Sequence, residues 1–524
     1  MWALAGGAGR DRLVGVARTK RDGALAGVVA AGVAIGVAEL VAVLTGPRTA
    51  PLVAVGGWVV DHVPEAGKEL AIRWFGTYDK VALLVGTSVL LAAFAAVIGV
   101  LAARWRWVGY AGLGLFTAIG VGAALTRHDV GPTAALPSLV GGVVGMFALT
   151  WLLAERSRVS VDSGAAEEEA HGRRRFLRGV GLASVVGLAA GVGGRWLSVL
   201  LSVSDAREKV VLPAAGDPGA TAPVEANLNV PGLSPYVTSN RSFYRIDTAL
   251  VVPRVDPANW KLRIHGRVDN PMTLTWEQLL ARPMIERYVT LSCVSNPVGG
   301  DLIGNARWQG VLLKDLLLEA APQAGADQVV SRSVDGFTAG SPTAALLDGR
   351  DAMIAVGMNG SPLPIDHGFP ARLVVPGLYG YVSATKWLAE LELTSFADFD
   401  AYWIPRGWAR EAPIKTQSRI DTPSHGREVA AGTVVVAGVA WAQRRGISTV
   451  EVRVDGGAWQ KATLAATVSI DTWRQWRWEW QATPGTYKLQ VRASDNAGTP
   501  QVEQTTPPIP DGATGYHTVK VTVA

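Results

Sequence analysis

The chain has 524 residues, 49% hydrophobic and only 18% charged, with a mean hydropathy of +0.22 and 19 tryptophans. This length excludes a single core and this composition excludes a uniformly water-soluble chain; an apolar part joined to packed globular parts fits both. The net charge of +5 and pI near 9.3 do not make a nucleic-acid surface, because the basic residues of the first 180 positions stand beside apolar segments. One cysteine excludes an intramolecular disulfide.

Residues 1–203 read as an α-helical membrane bundle. Five segments, 23–45, 81–103, 108–126, 134–154 and 179–203, are long and apolar enough to cross a bilayer of about 30 Å, although Arg195 interrupts the last. Five basic residues precede the first segment (Arg10, Arg12, Arg18, Lys20, Arg21). Arg104 and Arg106 follow the second, and six more lie between the fourth and fifth. These 13 stand against Arg48, Lys68, Arg73 and Arg127 on the other side. The positive-inside rule then predicts a multi-pass plasma-membrane protein, in contact with lipid, with a cytoplasmic N-terminus and everything after residue 203 extracytoplasmic. Residues 51–74, with Trp58, Trp74 and Phe75, read as an interfacial segment.

Arg173-Arg174-Arg175-Phe176-Leu177-Arg178 precedes the last apolar run and resembles the twin-arginine export motif. That route carries proteins already folded, which suits a domain whose cofactor is inserted in the cytoplasm. None of the seven histidines, at 62, 128, 171, 265, 367, 425 and 517, lies in a span, so no haem is expected there. Glu39 is the one carboxylate within a span: a proton or quinone contact, or a partner for a neighbouring helix.

Residues 204–240, rich in Pro, Ala, Gly and Asn, read as a linker. In 241–413, Trp260–Gly266 alternates as a strand, Thr275-x-x-Gln278 forms a capping box, Gly310–Leu317 reads as a buried helix and Ala371–Val375 as a buried strand. Helices and strands mix without a βαβ repeat, which predicts an α+β domain. From 414 to 524, short strands at Thr433–Trp441, Ile447–Asp455, Trp459–Ala465, Trp473–Gln481, Thr486–Ser494 and His517–Val523 predict an all-β immunoglobulin-like sandwich. Trp473, Trp476, Trp478 and Trp480 mix the two faces of their strand, so some must leave that core.

The cysteine, Cys293, follows the alternating run Arg287–Ser292 and precedes Asn296-Pro297 and Gly299-Gly300, which places it on a loop at a strand end. A thiolate there is a soft metal ligand or a nucleophile; an inert buried cysteine is the other reading.

Leu291-Ser292-Cys293-Val294-Ser295-Asn296, Asn305-Ala306-Arg307-Trp308-Gln309-Gly310-Val311, Met358–Pro364, Asp366-His367-Gly368-Phe369-Pro370-Ala371-Arg372, and Thr385-Lys386-Trp387-Leu388 resemble, in that order, the sulfite oxidase family of molybdenum-cofactor enzymes. The resemblance runs from about residue 240 to the C-terminus and includes the sandwich, which is similar to that family's dimerisation domain and implies a homodimer. It implies that Cys293 binds molybdenum, whose other sulfurs come from molybdopterin. His367, Arg372 and Lys386 match positions that hold the pterin and its phosphate. Phe243-Tyr244-Arg245 resembles a segment covering the cofactor in the bacterial sulfoxide-reductase branch, Asn305 falls where backbone approaches the cofactor, and Arg245 and Arg307 are candidates for the reaction site.

The departures bear on substrate. Sulfite-oxidising members carry arginines after the Cys-x-x-Asn motif, another near the C-terminus and a tyrosine beside the metal. Here Pro297-Val298, Pro510-Asp511-Gly512 and Ile404–Trp408 occupy those places, with Arg245, Arg307, Arg406 and Arg410 left as candidates to rebuild a basic pocket. The resemblance implies two-electron oxygen-atom transfer, with a sulfoxide-like oxo-acceptor preferred and sulfite oxidation second. Without a cytochrome b5 segment or haem-attachment motif, the electron partner, a quinone or a cytochrome, is separate. A non-catalytic membrane-tethered binding protein is the reading of another class.

Overall fold

The structure, a computed structural model, describes residues 5–63, 67, 74, 79–127, 131–161, 166–200 and 204–524. It divides into two compact units, Met1–Ser202 with Ala249–Val252, and Val203–Thr248 with Pro253–Ala524.

The first unit holds α1 (Ala5–Thr45), α2 (Pro51–His62), α3 (Asp79–Ala102), α4 (Arg106–Leu125), α5 (Leu136–Val161) and α6 (Ala166–Leu200). Five stretches, Lys20–Thr45, Lys80–Ala102, Arg106–Leu125, Pro132–Ala154 and Arg173–Leu197, are long and apolar enough to cross a membrane. Glycine lets these helices approach closely. A Cβ on Gly27 of α1 would stand 2.0 Å from the Ala95 carbonyl oxygen of α3, and one on Gly36 would stand 2.1 Å from that of Gly187 on α6. Glu39 of α1 interacts electrostatically with Arg195 of α6, so the two ionisable residues singled out within the apolar runs answer each other. Phe176 of the arginine motif is buried with Ala26, Leu149 and Leu152, a packing role of its own. Of the segment expected at the interface, Pro51–His62 is helical and Trp74 is exposed. Residues 64–66, 68–73 and 75, including Lys68, Arg73 and Phe75, lie outside the described residues, as do His128 and the side chains of Arg10, Arg12, Arg18, Arg156, Arg158 and His171.

The second unit begins with α7 (Ser204–Glu208) and an extended stretch expected to be a linker. That stretch is strapped to the domain: Ala226 and Tyr236 enter its core, and Gln309 donates to the Pro213 carbonyl at 2.6 Å. The α+β part contains β1 (Lys261–Gly266), β2 (Met272–Thr275), α8 (Trp276–Leu280), β3 (Met284–Ser292), β4 (Ile303–Leu312), α9 (Leu313–Ala320), β5 (Gln328–Ser333), β6 (Thr338–Pro342), α10 (Thr343–Leu347), β7 (Met353–Met358), β8 (Ser361–Pro362), β9 (Arg372–Val374), α11 (Gly380–Ser383) and β10 (Leu388–Thr394). One sheet runs β2-β1-β10-β5-β6, with β1 and β10 parallel; the other runs β3-β4-β7-β8, with β9 beside β7. The capping box forms as expected, the Gln278 N–H donating to Thr275 Oγ1 and the Thr275 N–H to Gln278 Oε1.

The helix expected at Gly310–Leu317 starts later. β4 extends through Leu312 and α9 begins at Leu313. An apolar run fits either state, and pairing with β7 decides: Gly310 sits so close to that strand that a Cβ would lie 2.2 Å from the Ile354 carbonyl oxygen.

Beyond 414 come β11 (Gln417–Thr422), β12 (Glu428–Val429), β13 (Gly432–Trp441), β14 (Ile447–Val454), β15 (Gln460–Lys461), β16 (Thr463–Leu464), β17 (Arg474–Ala482), β18 (Gly485–Asp495) and β19 (His517–Val523). They form two sheets, β11-β13-β17-β16 and β12-β19-β18-β14-β15. The single strand expected at Trp459–Ala465 is two: β15 pairs with β14 and β16 with β17, so the chain changes sheets there. Trp476 and Trp480 fill the sandwich, whereas Trp473, just before β17, belongs to the α+β core and donates to the Tyr236 carbonyl at 2.8 Å.

Candidate active site

β3 ends at Ser292, and the loop 293–302 is pinned at its neck. The Cys293 N–H donates to the Leu302 carbonyl at 2.9 Å, and the Leu302 N–H to Asn296 Oδ1 at 2.9 Å. The sandwich holds its outer end. Arg419 Nη1 of β11 donates to the Gly300 carbonyl at 2.6 Å. The ring of His517 on β19 leaves no room for a side chain at Gly299, whose φ of +77° also requires glycine.

Cys293 opens into a cavity whose walls include Phe243, Tyr244, Asp247, Ser295, Asp335, Phe337, Arg372, Tyr381, Lys386, Trp387, Trp403 and Trp408. Burial pushes the thiol's pKa up, opposed by hydrogen bonds from Ser295 and by the charge of Lys386. Arg372, at the start of β9, is only 4% exposed. Its Nη1 donates to the His367 carbonyl at 3.0 Å, its Nη2 to that of Ala384 at 3.3 Å, and the guanidinium lies 5.0 Å from the Trp308 ring centroid. The Nε is buried without an acceptor, and no carboxylate pairs with this guanidinium among the described residues. Burial lowers its pKa to about 10. Lys386 donates to Asp247 Oδ2 at 3.0 Å; burial takes it down to about 8, Asp247 opposing. His367 Nε2 lies 3.0 Å from the Asn240 carbonyl, which can only accept, so Nε2 carries the proton and Nδ1 is a buried acceptor with nothing to accept from. Burial first, then Arg372, hold its pKa to about 4, so the ring is neutral at pH 7.

These groups fit molybdopterin. A buried cation with an unfilled donor, beside a second cation, suits a phosphate; an unfilled imidazole acceptor suits a ring N–H; a buried thiol suits a soft metal. No group of three or more His, Cys, Asp or Glu side chains is arranged around a metal position among the described residues, so one protein thiolate would share the metal with the cofactor's own sulfurs.

Of the residues expected from sequence, Cys293, Phe243, Tyr244, Arg372 and Lys386 line this one cavity, and His367 stacks edge-on against Phe243 at 5.7 Å. Arg245, Arg307 and Asn305 are not among its lining residues. Arg245 is partly exposed and bonds Asp247 at 2.8 Å, and Arg307 lies 3.7 Å from Glu286. Asn305 is fully buried, donating to the Tyr236 carbonyl and accepting from Thr290, so it ties the strap to β3. Arg406 stacks on Tyr402 and Arg410 pairs with Asp400; neither rebuilds a basic lining. Sequence reading missed Asp247, Asp335, Ser295, Tyr381 and the tryptophans 403 and 408. Asp247, Ser295 and Trp408 had a signal, each standing two residues beyond a residue singled out, and Trp408 closing the stretch that stands where the family's tyrosine is expected.

Comparison with known proteins agrees with this geometry. Residues 249–403 match the family model of the oxidoreductase molybdopterin binding domain, and residues 417–521 that of the bacterial Ig domain. The chain is 31% identical over 292 residues to sulfite oxidase of Gallus gallus, covering 47% of this chain and 63% of that protein. It is 33% identical over 167 residues to the uncharacterized oxidoreductase YuiH of Bacillus subtilis (strain 168), covering 32% of this chain and 81% of that one. A solved structure, the sulfane dehydrogenase SoxCD of Paracoccus pantotrophus, aligns over 55% of this chain and 82% of its own with 24% identity and a TM-score of 0.49. The chain spans 52 to 63% of the length of the vertebrate sulfite oxidases of chicken and rat. With the motif order, the cavity, the family model and the sequence relatives in agreement, the chain belongs to the sulfite oxidase family of molybdopterin-dependent oxidoreductases: it is an enzyme, and its cofactor is molybdenum–molybdopterin.

Proposed function

We propose that this enzyme is membrane-anchored and catalyses two-electron oxygen-atom transfer at an extracytoplasmic domain, with a neutral sulfoxide-like oxo-acceptor as preferred substrate. When bound, the molybdenum cofactor supplies a centre that exchanges an oxygen atom and two electrons with a substrate. Cys293 would hold the metal, Arg372 and Lys386 the phosphate, and His367 the pterin ring. The observation that carries the substrate reading is the indole N–H of Trp408, buried in the cavity lining without an acceptor. It stands in an aromatic wall with Trp403 and Tyr381 and offers a neutral donor to a substrate oxygen. Tyr244 lines the same cavity, and burial together with Cys293 raises its pKa, so its phenol keeps a proton at pH 7. Both cations of the lining have other work toward the phosphate, Lys386 being also paired with Asp247, while the Asp335 carboxylate adds negative charge that opposes a dianion.

Sulfite oxidation is the second reading, favoured by the names of the matched relatives. Loss of a charged hydrogen bond costs about 1.5 to 3 kcal/mol, so two missing without replacement weaken sulfite binding by roughly two to four orders of magnitude. Steady-state kinetics with an artificial electron carrier tests the choice, with Cys293→Ser as inactive control. Sulfoxide turnover is expected to exceed sulfite turnover; saturation by micromolar sulfite with no sulfoxide turnover would reverse the assignment. A separate quinone or cytochrome as electron partner, and a homodimer through the sandwich, belong to the same proposal.

A further inference from the structure

We infer that the helical unit contains a binding site for a prenylated quinone. A cavity of about 290 Å³ lies among α1, α2, α3, α4 and α5, with Ile35, Leu52, Leu91 and Phe116 among its apolar walls. Two hydroxyls also line it, and each faces a glycine. A Cβ on Gly120 would come within 2.6 Å of Ser138 Oγ, and one on Gly142 within 2.1 Å of Thr117 Oγ1. Thr117 Oγ1 donates to the Leu113 carbonyl of its own helix at 2.8 Å, which leaves its oxygen free to accept. Ser138 is 4% exposed and its Oγ has no hydrogen-bond partner among the described residues.

A hydroxyl buried in apolar surroundings without a partner is costly, and no wall residue hydrogen-bonds Ser138 Oγ. A lipid acyl chain would fill the space and leave Ser138 unsatisfied. A quinone ring brings a carbonyl oxygen that accepts from Ser138, and its reduced form brings a hydroxyl that donates to Thr117. The prenyl tail matches the remaining apolar wall. Ile119 both lines the cavity and is 46% exposed, and Leu115 on the same helix is 61% exposed, so the cavity opens toward an apolar helix surface. The physiological part of the inference rests on the membrane-anchored oxidoreductase reading. Reduction of a sulfoxide to a sulfide and water takes up two electrons and two protons, and oxidation of quinol to quinone releases two electrons and two protons.

The test uses the full chain in nanodiscs of a saturated phosphatidylcholine, titrated with menaquinone-4, with bound quinone counted per chain after subtracting uptake by empty discs. Saturation near one per chain is expected. Ser138→Ala should weaken binding about three- to tenfold, and Ile119→Trp, which places bulk at the opening, should lower occupancy. Phytane, a branched hydrocarbon without oxygen, should compete poorly. Non-saturating uptake equal in wild type and both variants, or displacement by phytane as effective as by unlabelled quinone, would overturn the site and leave an acyl-chain groove. The readout is binding and not turnover, so failure of the oxygen-transfer reading would leave it unchanged.

Discussion

A guanidinium taken out of water without a counter-charge is expensive, and Arg372 stands in that condition beside Cys293 and Lys386. Its two amino groups are spent on carbonyls and its Nε on nothing, so the protein holds a charge that only an anionic ligand completes. Arg372→Met should therefore separate stability from cofactor retention. The cofactor-free variant should melt no lower than the cofactor-free wild type, because a buried charge has been removed. Molybdenum content after purification should fall at least about tenfold, as loss of one or more charged hydrogen bonds requires. Elemental analysis beside a thermal melt checks both; unchanged molybdenum content would show that Arg372 holds only the His367 turn.

At the scale of elements, the cavity depends on two close approaches. β4 lies against β7 with Gly310 at the contact, where an added Cβ meets backbone atoms at 2.2 and 2.7 Å. Gly310→Ala should cost about 3 kcal/mol or more, because backbone of a paired strand cannot step aside as a side-chain tip can. A fall in melting temperature of only a degree would contradict this. The second approach joins sandwich to cysteine loop through His517. Its Nδ1 accepts from the Ile420 N–H at 3.0 Å, and burial, then Arg419, lower its pKa to about 4. The folded value lies below the unfolded value of about 6.5, so the stabilisation is complete above about pH 6.5 and is lost as pH falls through 4. At most about 3 kcal/mol is involved. His517→Asn, which keeps an acceptor that does not titrate, should flatten the decline in urea midpoint between pH 7 and 4.5; an unchanged slope would place the acid sensitivity elsewhere.

For the whole molecule, the five apolar stretches and the strong bias of arginine and lysine toward one set of loops predict an orientation that replacement can test. Arg173→Lys with Arg174→Lys keeps the charge and removes the twin-arginine character. If the folded domain is exported by that route, external protease should no longer reach residues beyond 203 in the double variant. Cleavage at the wild-type rate would assign Arg173 and Arg174 to ordinary charge-based orientation and Phe176 to packing alone.

The sequence by itself determined the apolar stretches, the α+β and sandwich composition, and the order of cofactor motifs, because each rests on local quantities: run length, periodicity and spacing. Cys293 at a strand end and the capping box at Thr275 were legible for the same reason. Tertiary structure alone decided where β4 yields to α9, since an apolar run is ambiguous until a neighbour strand claims its backbone. It also decided that Asp247 meets Lys386, 139 residues away, that Asn305 serves the strap, and that Trp403 and Trp408 form a wall. Charge pairing, burial and unfilled hydrogen bonds are properties of surroundings assembled from distant segments, and no local pattern in the chain encodes them.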